Sequence, residues 1–244
     1  MIRRITAGLM MLGITALAVA DNANDAPAEP LLAPFSIDYT SEYRVGWFSF
    51  DIDANRTVSQ RGNNLWRMDF DAEASIASLK ETSDFILRDG QITPINYSYR
   101  ASGLIDEPDR TLHFIADEQR IEDLEKDREI EDEWQDGVQD NLTYMLQASI
   151  EIARGKTDFT IPVFEKSRTK PFRFRVVGRE EITTDAGTFN TIKIEQVRKS
   201  KKREIYAWLA DVPGYPLIRL RDKKNGDLRY QIQATRIRQP GESR

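Results

Sequence analysis

Apolar and polar residues alternate through most of this chain, and this period of two constrains the fold more than any other feature. Phe35, Ile37 and Tyr39 open one such run, and residues 65–71 form another. A β-strand places successive side chains on opposite faces, so each run predicts a strand with one buried face. The repeated pattern predicts a mainly β protein built on a large curved antiparallel sheet, either open or partly closed into a barrel.

Short turn sequences separate the alternating runs. Asp89-Gly90, Asn225-Gly226 and Asp185-Ala186-Gly187 each lie between two of them. Asp, Asn and Gly tolerate the positive φ that tight hairpin turns require. The sequence therefore predicts a hairpin at each of these three points.

One segment follows a helical period instead. Apolar residues recur at steps of three and four between Leu142 and Ala153, which is typical of one face of a helix. Asp140 is placed to cap the first turn, and Gly155 is placed to end the last one. The sequence predicts one mid-chain amphipathic helix over 140–154, packed within the curve of the sheet or against one face.

The N-terminal residues have the three parts of a secretory signal peptide. Arg3 and Arg4 precede an apolar run, and Ala18-Val19-Ala20 supplies the small residues of a cleavage site. The run is shorter than the roughly 20 residues that span a bilayer. We therefore predict cleavage after Ala20 and a periplasmic mature chain without a transmembrane segment.

The remainder divides into three parts by composition. Residues 21–33 are rich in Ala, Pro, Asp and Asn and predict a flexible leader. Residues 34–239 predict a single β-rich domain, and residues 240–244 a short tail.

Composition excludes several kinds of site. The chain has no cysteine, and His113 is its one histidine, so Cys-ligated and multi-histidine metal centres lack their ligands. No phosphate loop, dinucleotide fingerprint or serine-nucleophile elbow occurs. The formal net charge of −5 argues against bulk electrostatic binding of nucleic acid. We predict no cofactor, no metal site and no nucleic-acid partner, and we assign no catalytic residue.

Charge is unevenly distributed along the chain. Residues 117–136 hold eleven acidic and three basic side chains, whereas residues 198–244 hold thirteen basic and five acidic ones. Two solvated strand faces explain such a pattern, because exposed charges contribute little to stability. Recruitment of an oppositely charged envelope protein is the alternative explanation.

Several motifs together resemble a known family. Residues 139–147 open the helix, residues 177–194 cross a hairpin, and residues 206–210 and 214–220 follow in order. Their order and spacing resemble the bacterial secreted family known as domain of unknown function 3108. The resemblance covers most of the mature chain and implies a periplasmic, mostly β domain. It implies no reaction.

Aromatic residues in the first strands are the candidates for ligand contact: Tyr43, Trp47, Phe50 and Trp66. The same rings could fill the core. A curved sheet around a helix can leave a concavity that suits a lipid, acyl or glycan ligand. We therefore favour a non-catalytic binding module for an apolar or amphiphilic envelope component. An envelope scaffold or protein-interaction domain is the second interpretation. A carboxylate-based hydrolase is the third, and it needs two acidic groups that converge in one cleft.

Overall fold

Fourteen strands follow one another along the chain and pair into one antiparallel sheet. A computed structural model describes residues 31–45, 48–105, 107–200 and 202–238, with no side-chain placement for residues 42–45 and 48–50. The strands are β1 Phe35–Val45, β2 Phe48–Gln60, β3 Leu65–Ala74, β4 Ala77–Arg88, β5 Gln91–Gly103, β6 Arg110–Ile115, β7 Arg120–Asp123, β8 Arg128–Ile130, β9 Asp158–Glu165, β10 Arg168–Thr184, β11 Gly187–Val197, β12 Arg203–Ala210, β13 Leu217–Lys224 and β14 Asp227–Arg238. A 3-10 helix covers Ala116–Glu118, and the α-helix α1 covers Thr143–Ala153.

Neighbouring strands in the sheet are also neighbours in sequence, with one exception. Strands β1 to β8 form one meander and strands β9 to β14 form another. The two meanders join where β1 pairs with β14, with Ile37 opposite Ile237 and Tyr43 opposite Tyr230. The sheet is not closed, because β8 and β9 are its two edges. The segment that contains α1 connects these edges.

The hairpin turns have the predicted geometry. Asp89 and Gly90 have φ angles of 51° and 74°, and Asn225 and Gly226 have φ angles of 54° and 88°. Two successive positive φ angles are the mark of the tight turn whose twist matches that of its strands. The turns join β4 to β5 and β13 to β14, as the sequence predicts.

The helix is shorter than the predicted span of 140–154, because the chain makes a turn before it. Oδ1 of Asp140 accepts the backbone N–H groups of Leu142 and Thr143, each at 2.8 Å. Asp140 therefore satisfies two backbone donors at the start of α1, which is the role of a capping side chain. Gly155, with a φ of 80°, follows the last turn as predicted.

Helix α1 packs against both meanders. Leu142, Leu146 and Ile150 belong to the apolar cluster of strands β2 to β7. Met145, Ala148 and Ile152 belong to the cluster of strands β9 to β13. One helix can contact both meanders only if the sheet curves around it. We call the side of the sheet that faces α1 the inner face, and the opposite side the outer face.

The segment before α1 lies along the edge strand β9. The backbone N–H of Gln139 donates to the carbonyl of Pro162 at 2.8 Å, and Phe164 donates back to the carbonyl of Gln139 at 2.9 Å. These bonds satisfy part of the exposed edge of β9, where unpaired backbone groups would otherwise face solvent or another chain.

The predicted leader ends against the core. Leu32 is 3% exposed and joins the cluster of strands β2 to β7. The predicted signal peptide over 1–20, the leader up to residue 30 and the tail over 240–244 lie outside the described residues.

Candidate functional site

A cavity of about 290 Å³ lies beside the first turn of α1, on the inner face of the sheet. Glu81 and Tyr99 line it from β4 and β5, and Leu220 lines it from β13. Asn141 and Tyr144 line it from the helix side. Both meanders contribute, so the cavity exists only because the whole sheet curves.

Aromatic rings form much of the apolar wall: Tyr99, Tyr144, Phe172 and Tyr230. The rings of Tyr144 and Phe172 meet edge to face with their centroids 5.4 Å apart. Tyr144 also stacks on the buried Phe174 at 6.3 Å. Burial raises the pKa of Tyr144. Its hydroxyl group therefore stays protonated at physiological pH and can donate a hydrogen bond.

Glu81 is a half-buried carboxyl group in the wall of the cavity. The hydroxyl of Tyr97 donates to its Oε1 at 3.0 Å. Burial raises the pKa of Glu81 to about 7, and the nearby charge of Asp140 adds to this rise, whereas the hydrogen bond from Tyr97 opposes it. Near neutral pH, Glu81 is therefore divided between a neutral form that donates and an ionised form that only accepts.

Asp140 lies at the start of α1 and joins the helix to β4. It is fully buried, and burial raises its pKa. The hydroxyl of Ser83 donates to its Oδ2 at 2.5 Å, while Oδ1 caps α1. Asn141 Nδ2 lies 3.5 Å from the hydroxyl of Tyr97. These contacts tie the start of α1 to β4 and β5 and fix the floor of the cavity.

Four cationic residues also line the cavity: Arg110, Lys166, Arg198 and Arg203. Arg203 is engaged by Asp222, with Nη2 and Oδ2 2.7 Å apart. Among the described residues, no ion pair joins the side chains of Arg110, Lys166 or Arg198 to a carboxylate. These three cations can therefore meet an anionic group of a ligand without breaking an existing pair.

The residues chosen from sequence lie elsewhere or outside the described part. Trp66 is 6% exposed and is packed in the core with Met68 and Phe85, away from the cavity lining. Trp47 is outside the described residues. Tyr43 and Phe50 pair through their backbones, and Tyr43 also pairs with Tyr230, a lining residue. Ligand contact by Tyr43, Trp47, Phe50 and Trp66 stays a prediction.

The sequence analysis missed Glu81, Tyr97 and Tyr144. A signal for Glu81 exists, because β4 places Leu79, Glu81, Ser83 and Phe85 at alternate positions of one face. A carboxylate among such residues is rare unless it has a partner or a function. No comparable signal marks Tyr144, since a tyrosine on a buried helix face is common.

His113 is the one histidine of the chain, and it lies outside the cavity lining. His113 lies on β6 with Nδ1 3.5 Å from Oε2 of Glu122. In this part of the chain, no group of three or more His, Asp or Glu side chains could hold a metal ion. No helix of the described residues is long and apolar enough to cross a membrane.

The two charged regions form ion pairs within themselves and with other strands, such as Arg100 with Glu125 and Arg238 with Asp38. Arg120 lies 2.8 Å from Glu122 and 2.6 Å from Glu129, all within residues 117–136. Over the described ranges, no ion pair joins residues 117–136 to residues 198–238. Among the described residues, the two regions therefore do not neutralise each other through ion pairs.

Comparison with solved structures identifies the architecture. A β-barrel-like protein of domain of unknown function 1849 from Brucella abortus matches with a TM-score of 0.56 and 9% identity, covering 84% of this chain and 97% of that one. A protein with a YmcC-like fold from Bacteroides fragilis matches with a TM-score of 0.37 and 12% identity, covering 86% and 98%. The first of these supports a shared β-barrel-like fold and nothing more.

Sequence comparison gives the family. A search of curated proteins finds no match to this chain. The model of the family described as "Protein of unknown function (DUF3108)" matches residues 35–233, which is most of the chain and includes every residue of the cavity lining. The chain therefore belongs to the DUF3108 family.

Proposed function

We propose that this protein is a non-catalytic binding module of the cell envelope, and that its cavity holds the polar end of an amphiphilic ligand or a glycan. The observation that carries the proposal is the lining itself, in which aromatic rings, a half-buried carboxyl group and three cations without an ion-pair partner among the described residues converge. Binding sites commonly combine apolar walls with a few well-placed polar groups.

The size and polarity of the cavity narrow the range of ligands. A volume of about 290 Å³ is small for a ligand site, since typical sites measure roughly 300–1,000 Å³. A hydrocarbon chain in the cavity would cover the charged groups of Arg110, Lys166 and Arg198. This contact is unfavourable, because the charged groups would lose their hydration. A head group or sugar unit fits better, with any acyl chain extending out of the mouth.

The proposed location follows from the sequence. The signal-peptide pattern of residues 1–20 supports export and cleavage after Ala20. A periplasmic protein would meet the lipids and glycans of the envelope. The mass of the protein recovered from the periplasm tests the cleavage, because the mature chain would begin at Asp21.

Native mass spectrometry of protein purified from the periplasm without detergent tests the binding proposal. We expect a stoichiometric additional mass that organic solvent releases, followed by its identification as a lipid or glycan. Phe172→Ala, which removes part of the cavity wall, should reduce the bound fraction. The control is Phe189→Ala, which removes a ring from a cluster outside the cavity lining. A bare wild-type mass would count against tight carriage of a ligand.

A carboxylate-based hydrolase is the second candidate, and one observation favours it. Glu81, with its raised pKa, shares the cavity with Glu107 and Glu165. Glycoside hydrolysis pairs a neutral carboxylic acid with an ionised carboxylate. Incubation of the extracted ligand with the wild type and with Glu81→Gln separates the candidates. Conversion by the wild type alone indicates a hydrolase, whereas an unchanged ligand indicates a binding module.

A further inference from the structure

A group of cations surrounds one buried indole ring on the outer face of the sheet, away from the cavity. Lys193 Nζ lies 5.0 Å from the ring centroid of Trp208, and the guanidinium carbons of Arg219 and Arg221 lie 6.0 Å and 4.9 Å from it. We call Lys193, Arg219 and Arg221 the Trp208 cation cluster. The ring beneath is 2% exposed, while the three cations are partly exposed.

Strand pairing explains why these residues meet. Lys193 on β11 and Arg219 on β13 are the direct partners of Trp208 on β12. Arg221 is two residues beyond Arg219 and therefore projects from the same face. The register of three strands thus brings three positive charges onto one ring, and cation–π attraction offsets part of their repulsion.

Acidic neighbours neutralise this cluster incompletely. Oε1 of Glu180 accepts the indole N–H of Trp208 at 2.5 Å and lies 3.1 Å from Nζ of Lys193. Among the described residues, no ion pair links Arg219 or Arg221 to a carboxylate. Nη2 of Arg219 makes only long contacts, at 3.4 Å to the carbonyl of Thr183 and 3.3 Å to Oε1 of Gln233.

Arg219 and Arg221 also have buried atoms that lack a hydrogen-bond partner among the described residues. The atom is Nε in each of the two residues. Burial, together with the charge of Arg221, lowers the pKa of Arg219. Half-buried like charges are costly unless an opposite charge compensates them.

We propose that the Trp208 cation cluster is a binding site for a phosphate group. Two adjacent guanidinium groups suit the several oxygens of a phosphate, and Lys193 adds a point charge beside them. Inorganic phosphate or a phosphate monoester brings more than one negative charge near neutral pH, which matches the charge that Glu180 leaves uncompensated, whereas the phosphodiester of a phospholipid brings one. The phosphate can belong to a soluble ligand or to a phospholipid head group at a membrane surface.

Titration with inorganic phosphate tests the site directly. Binding is followed by the ³¹P line width and by the thermal midpoint, against sodium chloride at matched ionic strength. We expect a saturable response to phosphate and a rise in the midpoint, because a ligand that binds only the folded state stabilises it. Arg219→Gln/Arg221→Gln should weaken binding at least tenfold. If the double variant fails to fold, Lys193→Gln replaces it in the titration.

The matched control is Arg175→Gln. Arg175 lies on the neighbouring strand β10 and is paired with Glu195 at 2.8 Å, so its loss should leave phosphate binding unchanged. An equal response to chloride and phosphate, or equal binding by the cluster variants and the wild type, would mean that the cluster attracts counter-ions only and would overturn the proposal.

Binding to lipid vesicles distinguishes a phospholipid head group from a soluble ligand as the source of the phosphate. Co-sedimentation with phosphatidylcholine vesicles is compared with co-sedimentation with vesicles that also contain phosphatidylglycerol. Binding to the anionic vesicles that depends on Arg219 and Arg221 supports a lipid head group. Binding of inorganic phosphate without vesicle binding supports a soluble ligand. The cavity variant Phe172→Ala should behave as the wild type in both assays, because this site is independent of the cavity.

Discussion

The hydroxyl of Tyr97 donates to Oε1 of Glu81 across 3.0 Å, and this bond joins β5 to β4 at the floor of the cavity. It is one of the interactions that favour the ionised form of Glu81, while burial favours the neutral form more strongly. The outcome is a carboxyl group whose protonation changes near neutral pH. Both the stability of the protein and the hydrogen bonds available to a ligand therefore depend on pH.

Glu81 should make the protein less stable as pH rises. In the folded chain the pKa of Glu81 is raised from its ordinary value of 4.5 to about 7. Between these values the unfolded chain loses its proton first, so raising the pH favours unfolding. The neutral form of Glu81 contributes to the free energy of unfolding in full below pH 4.5. This contribution, about 3 kcal/mol in total, is lost by about pH 8.

Urea denaturation of the wild type and Glu81→Gln at several pH values measures this effect. The variant cannot ionise, so its free energy of unfolding should rise relative to that of the wild type between pH 4.5 and pH 8. Glu181→Gln, at an exposed position on β10, is the control and should give a constant difference. A constant difference for Glu81→Gln as well would show that the pKa of Glu81 is the same in the folded and the unfolded chain, which would contradict the argument from burial.

Asp140 should stabilise the start of α1 through its Oδ1 atom. Asp140→Ala removes the acceptor of the Leu142 and Thr143 N–H groups and the partner of Ser83, so we expect a loss of about 2 kcal/mol. Asp140→Asn keeps a side-chain oxygen and should lose less. Amide hydrogen exchange provides the local measurement. The amide hydrogens of Leu142 and Thr143 should exchange faster in Asp140→Ala than in Asp140→Asn. Equal exchange rates in the two variants would rule out the capping role.

Asp222 should contribute more to the free energy of unfolding than an exposed ion-pair partner does. Its side chain is fully buried between Arg203, at 2.7 Å, and Arg229, at 3.2 Å. Asp222→Asn leaves two cations without their carboxylate and should cost about 3 kcal/mol. The exposed pair of Asp158 and Arg173 is the comparison, and Asp158→Asn should cost much less, because water screens an exposed pair. Equal losses in chemical denaturation would contradict the argument from burial.

Gly103 should not tolerate a side chain. Its φ is 75°, and a Cβ atom there would lie 2.1 Å from the carbonyl oxygen of Ile76. Gly103→Ala should therefore cost at least about 2 kcal/mol. Gly62 has no atom within 4 Å of the same position, so Gly62→Ala should change stability by less than about 0.5 kcal/mol. Thermal unfolding of the two variants gives the comparison.

Local features of the fold could be predicted from the sequence. The period of two identifies β1 and β3, the Asp89-Gly90 and Asn225-Gly226 pairs mark two hairpins, and Asp140 and Gly155 mark the ends of α1. Each depends on interactions between residues close in the chain, such as the pleat, the positive φ of a turn and the cap of a helix. Such interactions can be recognised without knowing what packs against the segment.

The candidate site needed the tertiary structure. Alternation placed Trp66 on an apolar face, but whether that face meets the core or a cavity depends on what lies opposite, and Trp66 is packed in the core. Glu81 comes from β4, Tyr144 from α1 and Tyr230 from β14, far apart in sequence. They meet because β1 pairs with β14 and the sheet curves around α1. These are long-range contacts, whose register depends on the packing of the whole molecule and not on any single strand.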